Sequence, residues 1–508
     1  MNIRPIQEED IEQVIHLFRL NYGDDYFYPE FYDPNWVKRG IYSDTILWLV
    51  IEDEGGVVGS GAVVLDSGDY DDQIAELGRL VIDPSVGGKG LGQMMVKALI
   101  EASNDQVEFL FAEARTAHPK SQKINDQLGL VPLGFLPMAH KGHPRGSNVF
   151  SGQLRDSGRK LRQEGAARLI PVVAPLASVA LSHMELDEAV KMVPNVRHYP
   201  LYERLTIKPL TTADLVRVIK TEQGVMRDPE VLGGVHLDQG ISKLTARLAS
   251  YLVASEEGRT LGAVGYLYSE SESSVRIVEL IAREDAVKGG LLRRVVEQAQ
   301  QVHKAEVIEI DVIATNPRIQ RTMVELGFLP VAYVPGMVFH NTNRWDVVKM
   351  MKINVPWNLG HFELVPAAQA VFDIVTLPFI RRDAQRRIRE AAASLPVFQG
   401  LTPLEMDFVV RSAEEIKLGA GETLVVNGLC VVLEGGLQAG DRPLGPGECI
   451  GEALLLAGKG ELTATAGQPT SLLRLSHHPF NDLIERYPHL GLKLFRNFSQ
   501  LAGLLVTG

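Results

Sequence analysis

Cysteine is scarce in this chain of 508 residues, which contains only Cys430 and Cys449. Two cysteines cannot form a disulfide framework or a cysteine-rich metal cluster, so we expect no metal and predict a reducing, cytoplasmic setting. Positive charge is also in deficit, because 51 lysines and arginines stand against 63 aspartates and glutamates, for a net charge of −12. This balance opposes binding to nucleic acid or to an anionic membrane surface.

Long apolar runs are missing as well. The most apolar window, Leu169 to Leu181, is short and contains Pro171 and Pro175, and the first residues have no signal-peptide hydrophobic region. We therefore expect no membrane association. The length predicts about three domains, and 45% apolar residues can supply their cores.

Glycine, by contrast, is concentrated at one informative place. An apolar strand breaks at Asp83-Pro84, passes through a glycine cluster over 87–92, and opens a helix. Helix-start amides backed by the helix dipole bind anions, and glycines let a ligand approach the backbone, so the favoured ligand is a phosphate or pyrophosphate. The spacing fits neither a Walker loop, since Gly90 follows Lys89, nor a dinucleotide fingerprint. A surface turn with surplus glycines is the alternative.

The glycine segment resembles the acetyl-CoA loop of the GNAT N-acetyltransferases, in which Gln/Arg-x-x-Gly-x-Gly/Ala follows a strand ending in Val-x-Pro. Here Gly87 to Gly92 follows Val81 to Pro84, and Gly87 departs from the family by replacing the glutamine or arginine. The resemblance implies acetyl-CoA as the co-substrate. The residues that it implies for acetyl-CoA binding are Leu80, Val81, Ile82, Gly87, Gly88, Lys89, Gly90, Leu91, Gly92 and Gln93.

The order of the predicted elements supports this resemblance. The pattern predicts, in chain order, a strand end and an amphipathic helix over 4–22, strands at 45–51, 59–65 and 76–82, the glycine loop, a helix to residue 102, a strand at 107–113 and a helix at 123–129. The GNAT order is the same. We therefore predict an N-terminal GNAT acetyltransferase domain over 1–200, with its core at 1–145.

Amine acylation requires a proton acceptor for the amine and a proton donor for the leaving thiolate. Glu76, eleven residues before Gly87, matches the catalytic glutamate of histone-acetylating family members, and a half-exposed structural carboxylate is the alternative. Asn125 stands where the family usually has its tyrosine acid, so the thiolate acid is not identified. His118 replaces a common asparagine, and a loop imidazole that stabilises its turn is the alternative. The resemblance makes Glu76, His118 and Asn125 the candidate catalytic residues.

The loop from Tyr22 to Trp36 is dense in aromatic and acidic residues. Aromatic faces beside carboxylates suit an ammonium group, so Tyr26, Tyr28 and Tyr32 are candidate substrate-binding residues. An aromatic plug over the core would give the same composition, and both interpretations stay open. The acceptor is expected to be a small amine, an amino acid or a protein lysine.

A weaker copy of the same pattern lies later in the chain. Pro119 and Gln122 recur as Pro317 and Gln320, at a constant offset of 198. The glycine loop of the copy keeps two glycines but loses Gly-x-Gly, which removes the backbone freedom that a pyrophosphate needs. We predict a second, degenerate and mainly structural GNAT-like domain over 201–365.

A different pattern follows a helical connector predicted over 366–394. Residues 395–508 resemble a cyclic-nucleotide-binding β-roll, whose phosphate cassette combines Gly-Glu with a downstream arginine. Here Gly451 and Glu452 match, but Leu462 stands near the position of the arginine. In that family the arginine forms an ion pair with the cyclic phosphate, so cyclic-nucleotide binding is not expected here.

The fold class is therefore predicted as α+β, with two GNAT-type mixed α/β domains followed by a cyclic-nucleotide-binding-like β-roll with flanking helices. The predicted function is acetyl-CoA-dependent N-acetylation of an amine, with the later domains in a scaffolding or regulatory role. The alternative is a CoA- or nucleotide-sensing assembly protein without turnover, favoured by the missing tyrosine and the defective cassette. An apolar stripe at helical spacing would pack on the GNAT domains or in a homodimer, and consists of Leu490, Leu494, Phe498, Leu501 and Leu505.

Overall fold

The computed structural model describes residues 1–24, 26, 29–65, 67, 72–201, 205–223, 229–234, 249–392 and 395–501. The chain forms two compact units, Met1–Leu377 and Pro378–Gly508. The first unit contains both segments that the sequence predicts as separate domains, and it ends inside the segment predicted as a connector. Within the described ranges, no helix is long and apolar enough to cross a membrane.

The first half of unit 1 alternates strands and helices in the expected order, with bounds within three residues of the predicted ones. Its strands are β1 (Asn2–Pro5), β2 (Ile46–Asp53), β3 (Gly56–Val64), β4 (Ile74–Ile82), β5 (Phe109–Arg115), β6 (Val131–His140) and β7 (Gly146–Leu154). Its helices are α1 (Ile11–Tyr22), α2 (Pro34–Ile41), α3 (Leu91–Ala102), α4 (Lys120–Gln127), α5 (Asp156–Leu161) and α6 (Ala174–His183). The predicted apolar stripe of α1 is buried, as helical spacing requires.

The second half of unit 1 repeats this order. Its strands are β8 (Thr206–Pro209), β9 (Val231–Leu232), β10 (Ala249–Glu256), β11 (Arg259–Ser269), β12 (Ser274–Ala282), β13 (Val307–Ile313), β14 (Leu329–His340) and β15 (Asn343–Ile353). Its helices are α7 (Thr212–Gln223), α8 (Asp285–Gln301), α9 (Pro317–Glu325) and α10 (Pro366–Ala392), the last of which continues into unit 2.

The fifteen strands found in the described residues of unit 1 form one sheet. Its order is β1-β2-β3-β4-β5-β7-β6-β14-β15-β13-β12-β11-β10-β8, with β9 paired to β13 beside this path. The order of one half is thus mirrored in the other, and the halves meet where Gly134 of β6 pairs with Ala332 of β14. A side chain at Gly134 would overlap the backbone of Ala332, so the close approach of the two strands requires glycine there.

Buried arginines also join the two halves, through hydrogen bonds to glutamates. Arg145, which follows β6, donates to Glu306 Oε2 of the second half at 2.7 Å. Arg344, which is completely buried in β15, donates to Glu108 Oε2 of the first half at 2.6 Å. Each half therefore places buried positive charge against acidic groups of the other, and charge-assisted hydrogen bonds of this kind fix the register between the halves.

The glutamines of the sequence repeat also act across the halves. Gln122 Nε2 donates to the Glu363 carbonyl at 2.9 Å, and its Oε1 accepts from the Val365 amide at 3.1 Å. In the second half, Gln320 Oε1 accepts from the Ile170 amide at 3.2 Å. The segment that follows each half therefore packs on the opposite half. Matching residues at the offset of 198 thus have a structural reason, which is to hold these exchanged segments.

Unit 2 contains two four-stranded antiparallel sheets, with orders β16-β23-β18-β21 and β17-β22-β19-β20. Their strands are β16 (Glu414–Leu418), β17 (Thr423–Val426), β18 (Gly428–Glu434), β19 (Leu437–Ala439), β20 (Arg442–Leu444), β21 (Cys449–Ile450), β22 (Leu462–Ala466) and β23 (Thr470–Ser476). The helices that accompany them are α11 (Pro403–Ser412), α12 (Glu452–Ala457), α13 (His477–Arg486) and α14 (Pro488–Leu501).

The apolar stripe of α14 is used inside unit 2, which corrects its expected availability for assembly. Leu490, Leu494 and Phe498 are completely buried. Asn497 beside them donates to the Val397 carbonyl at 3.0 Å, which ties α14 to the start of the unit. These three side chains therefore stabilise the unit itself, while the Leu501 side chain and residue 505 lie outside the described part of the chain.

Candidate active site

The site begins where two parallel strands separate. The ladder between β4 and β5 covers only Ile74–Glu76 against Phe109–Phe111, although both strands continue beyond it. The wedge between them opens into a cavity of about 360 Å³. The polar side chains and tyrosines that line the cavity are Asn21, Tyr22, Tyr26, Glu76, Arg79, Glu113, Arg115, His118, Ser121, Asn125, His140 and Asn148.

A β-bulge shapes the β4 wall of this wedge. Gly78 pairs with Ala62 of β3, and Val81 pairs with Ser60, so two residues of β4 stand opposite one residue of β3. Arg79, in the bulge, has a left-handed φ of 56°, which is strained for a non-glycine residue. A bulge interrupts the ladder and re-aims neighbouring groups, which suits a strand that must present backbone to a ligand.

The glycine loop joins the end of β4 to α3. Gly88 and Gly90 have φ values of 82° and 75°, and a Cβ at either would meet no atom within 4 Å. Gly90 is the N-cap of α3 without a side-chain capping bond. Open space, left-handed backbone and an uncapped helix start give the loop the features of an anion site. The loop at 87–90, and Gln93 one turn later, are exposed as ligand access requires.

Three residues of the expected acetyl-CoA set have packing roles. The side chains of Val81 and Leu91 are buried in the core, so only their backbone atoms can meet a ligand. Gly92 lies within α3, and a Cβ there would lie 3.1 Å from Ile124 Cδ1 of α4. This glycine therefore permits α3 and α4 to pack closely, whatever the loop binds.

Glu76 lines the cavity as predicted, but it has a partner that the sequence did not indicate. Its carboxylate accepts a hydrogen bond from Arg79 Nη1 in an ion pair. The bulge brings this arginine back towards Glu76. The Glu76 carboxylate is therefore oriented by a neighbouring guanidinium in the cavity wall.

His118 and Asn125 also line the cavity, so the structure brings all three candidate catalytic residues together. His118 is exposed, whereas Asn125 is 4% exposed and its backbone carbonyl accepts from the Leu130 amide at 2.9 Å. A neutral amide cannot serve as the thiolate's proton donor. Asn125 is therefore suited to hydrogen bonding and not to acid catalysis.

The aromatic residues of the loop over 22–36 fall into two groups, one that lines the cavity and one with a structural role. Tyr26 lines the cavity, and Tyr28 lies outside the described residues. Tyr32 is not among the lining residues, because its hydroxyl donates to the Gly23 carbonyl at 2.8 Å and Arg19 lies over its ring at 5.7 Å. Tyr26 thus stays a candidate for substrate contact, while Tyr32 has a structural role.

Sequence reasoning missed a polar wall formed by β5, β6 and β7. Glu113 and Arg115 alternate along β5, and His140 and Asn148 come from β6 and β7. Burial lowers the pKa of His140 to about 4; Glu272 opposes this shift and Arg115 adds to it, so the imidazole is neutral at pH 7. The alternation on β5 was a readable signal, but the approach of β6 and β7 depends on pairing between strands distant in sequence.

The equivalent wedge of the second half is closed by the chain itself. The β12–β13 ladder covers Ser274–Ile277 against Val307–Ile310, and beyond it β9 pairs with Asp311 and Val312 of β13. The two glycines of the second loop lie inside α8, where a side chain at Gly289 would overlap the Pro200 carbonyl. These glycines therefore serve close packing. A cavity of about 460 Å³ remains at the ends of β12 and β13, where Ala282 and Ile313 line it.

Comparisons with known proteins agree with the first half. The model of the acetyltransferase (GNAT) family matches residues 11–129, so a GNAT acetyltransferase domain lies there. No curated protein matches the chain. Among the described residues, no group of histidine, cysteine or acidic side chains could hold a metal ion.

Several solved structures of small acetyltransferases are similar to one part of this chain. The matched region spans most of each of those chains but under a third of this one. A ribosomal-protein-alanine N-acetyltransferase from Brucella melitensis is 19% identical, with 30% of this chain and 99% of that chain covered and a TM-score of 0.28. A spermidine/spermine N-acetyltransferase from Vibrio cholerae is 17% identical, with 31% and 95% covered and a TM-score of 0.27. A phosphinothricin acetyltransferase from Sinorhizobium meliloti, in complex with acetyl-CoA, is 18% identical, with 30% and 89% covered and a TM-score of 0.27.

Proposed function

We propose that the first half of unit 1 transfers an acetyl group from acetyl-CoA to an amine. The observation that carries this proposal is the open wedge between β4 and β5, which has an uncapped, glycine-rich helix start beside it and a polar cavity within it. Acetyl-CoA matches both features, because its pyrophosphate would bind at the glycine loop while its thioester lies in the wedge. A GNAT domain at residues 11–129 supports this assignment.

Acetyl-CoA would be held mainly by backbone. The amides at 87–93 face the pyrophosphate, where the dipole of α3 favours negative charge. The β4 segment Leu80 to Ile82, next to the bulge, would hydrogen-bond the pantetheine arm. Backbone amides at the edge of the wedge would stabilise the oxyanion that develops on the thioester carbonyl. Such contacts need no particular side chain. A glycine can therefore stand at position 87, where the family usually has a glutamine or an arginine.

The chemical step would proceed by direct attack. The neutral amine nitrogen attacks the thioester carbonyl carbon, the carbon–sulfur bond breaks, and CoA leaves as a thiolate that takes up a proton. Glu76 would accept the proton of the amine, directly or through water, with Arg79 setting the orientation of its carboxylate. His118 and Asn125, on the opposite wall, would hydrogen-bond the leaving group or the CoA arm.

The remaining parts of the chain would support this site. The repeated element order and mirrored sheet favour a second GNAT-like domain over 201–365, and its closed wedge favours a structural role. In unit 2 the two packed sheets favour a cyclic-nucleotide-binding-like roll. Its Glu452 accepts a hydrogen bond from the Cys449 thiol at 2.8 Å, and we expect no nucleotide there.

A second candidate function is CoA sensing without turnover. The Glu76–Arg79 ion pair favours it, because the carboxylate already has a hydrogen-bond partner, and so does the amide at Asn125, where the family has a tyrosine. Both functions require CoA at the glycine loop. Only the first function includes acetyl transfer to an amine. An assay for the free thiol of released CoA, in the presence of an amine, distinguishes the two functions.

The first experiment is calorimetry of acetyl-CoA binding to the full chain and to Gly90→Glu. The glutamate would put a negative charge beside the pyrophosphate, so we expect binding by the wild type and a loss of at least tenfold in the variant. Gly258→Glu is a matched control, because Gly258 has a similar φ of 79° and equally open space but lies in the second half. Equal affinity of wild type and Gly90→Glu would contradict the proposed site.

A further inference from the structure

One wall of the cavity is a series of side chains that crosses from the first half to the second. Asn148 Nδ2 donates to Glu113 Oε2 at 3.0 Å and lies 2.5 Å from His140 Nε2. On the other side of the imidazole, His140 Nδ1 lies 4.0 Å from Glu272 Oε2 of the second half. The series therefore runs from Glu113 through Asn148 and His140 to Glu272.

The two carboxylates at its ends determine the direction of every hydrogen bond between them. A carboxylate only accepts, so Asn148 must turn its NH₂ group, and not its carbonyl, towards Glu113. The second hydrogen of that NH₂ group meets His140 Nε2, which must then carry a lone pair. The ring hydrogen of the neutral imidazole consequently lies on Nδ1, where its dipole faces Glu272.

This arrangement leaves one acceptor without a partner. Both hydrogens of Asn148 are used, and its Oδ1 is buried with no hydrogen-bond partner among the described residues. The whole residue is 2% exposed and belongs to the cavity wall. An unpaired buried oxygen has lost its hydrogen bonds to water without replacement, so a ligand that donates a hydrogen bond there would stabilise the complex.

Glu272 is held firmly in place from both sides. Its Oε2 accepts from the Lys141 amide at 2.7 Å, and its backbone carbonyl accepts from Arg145 Nη1 at 3.1 Å. It stands in the turn between β11 and β12 and therefore belongs to the second half. At 4.0 Å it acts on His140 through its charge and not through a direct hydrogen bond.

We propose that Asn148 Oδ1 accepts a hydrogen bond from the nitrogen of the acceptor amine, and that Glu272 is a positioning residue that sets this geometry through His140. The proposal deepens the acetyl transfer proposed above and rests on it. It requires an acceptor with two N–H groups, one that gives its proton to Glu76 and one that donates to Asn148, so primary amines fit and secondary amines do not. The nearby carboxylates of Glu76 and Glu113 suit the ammonium form in which such an amine arrives.

Steady-state kinetics with acetyl-CoA and 1,4-diaminobutane, as a primary-amine probe, test the assignment. For Asn148→Ala we expect a rise of about ten- to a hundredfold in the KM for the amine, with the KM for acetyl-CoA unchanged. Glu272→Ala should raise the amine KM by less. Asp72→Ala is the matched control, since Asp72 Oδ1 accepts from the Phe339 amide at 2.8 Å across the same boundary but in the reverse direction. An equal rise in both KM values for Asn148→Ala would overturn the proposal.

A second measurement does not depend on turnover. Nitrogen NMR of the histidines at pH 7, with His140 assigned through His140→Gln, reports which ring nitrogen carries the hydrogen. We expect Nδ1–H in the wild type and in Asp72→Ala, and a mixture of both tautomers in Glu272→Ala. An Nε2–H tautomer in the wild type would refute the positioning role even if acetyl transfer is found. Absence of transfer to any amine, with the expected tautomers, would instead contradict the proposed function.

Discussion

The two halves of unit 1 share the main order of their strands and helices but differ at the wedge between two parallel strands. In the first half, the gap between β4 and β5 opens into a cavity, and the glycine loop follows the end of β4. In the second half, β9 enters the corresponding gap and pairs with β13. A backbone segment of the chain thus pairs with β13 beyond its ladder with β12. The comparison teaches that the same pair of parallel strands can stay separated in one half and be bridged by the chain's own backbone in the other.

The largest expected effect comes from breaking the contacts that hold the halves together. Arg344→Ala would leave Glu108 and several buried carbonyls without their donor, and we expect the free energy of unfolding of unit 1 to fall by about 3–5 kcal/mol. Arg145→Ala should cost less, about 1–3 kcal/mol, because its partner Glu306 is 35% exposed and can be solvated. Urea unfolding measures both losses. A loss for Arg145→Ala as large as that for Arg344→Ala would contradict the difference in burial.

A functional pair of variants sharpens the comparison further. Glu76→Gln should lower turnover by roughly ten- to a thousandfold with little change in acetyl-CoA affinity, because the proton acceptor is lost. Glu279 in β12 is the sequence counterpart of Glu76, and it is buried with Tyr251 donating to it at 2.7 Å. We therefore expect Glu279→Gln to leave turnover of the folded protein unchanged. Steady-state kinetics of both variants test this prediction. Undiminished turnover in Glu76→Gln would show that Glu76 has a structural role and is not the proton acceptor.

The smallest expected effect concerns unit 2. Cyclic AMP and cyclic GMP at micromolar concentration should leave the melting temperature unchanged, because Leu462 offers no counter-ion for a phosphate that must be desolvated. A thermal-shift titration of the full chain measures this. Saturable stabilisation by several degrees, abolished in Glu452→Ala, would show that another cation replaces the missing arginine.

Local patterns predicted the elements that position the site. The apolar spacing of α1, the strand that ends at Asp83-Pro84 and the glycine cluster at 87–92 depend on neighbours in sequence, and their bounds agree with the structure. Glu76, His118 and Asn125 were placed on one cavity because a known element order was available. What these residues do there stays a prediction.

Contacts between distant segments could not be predicted in this way. The bulge that brings Arg79 to Glu76 depends on the register of β3 against β4, and nothing within β4 specifies it. The closure of the second wedge depends on two residues, Val231–Leu232, too short to give a strand signal. The sequence repeat indicated that Gln122 matters, but nothing near it in the sequence indicated its partners, which lie at 363–365.

The exchange of segments has a consequence for the order in which the protein is made. Gln122 is separated by 241 residues from the Glu363 carbonyl to which it donates. When the first half has emerged from the ribosome, residue 363 has not yet been synthesised. The surface of the first half that contacts this later segment therefore stays exposed to solvent until the second half has been made. Truncation after residue 200 would therefore remove part of the first half's own packing, and a gene fragment encoding the GNAT match alone would yield an incomplete body.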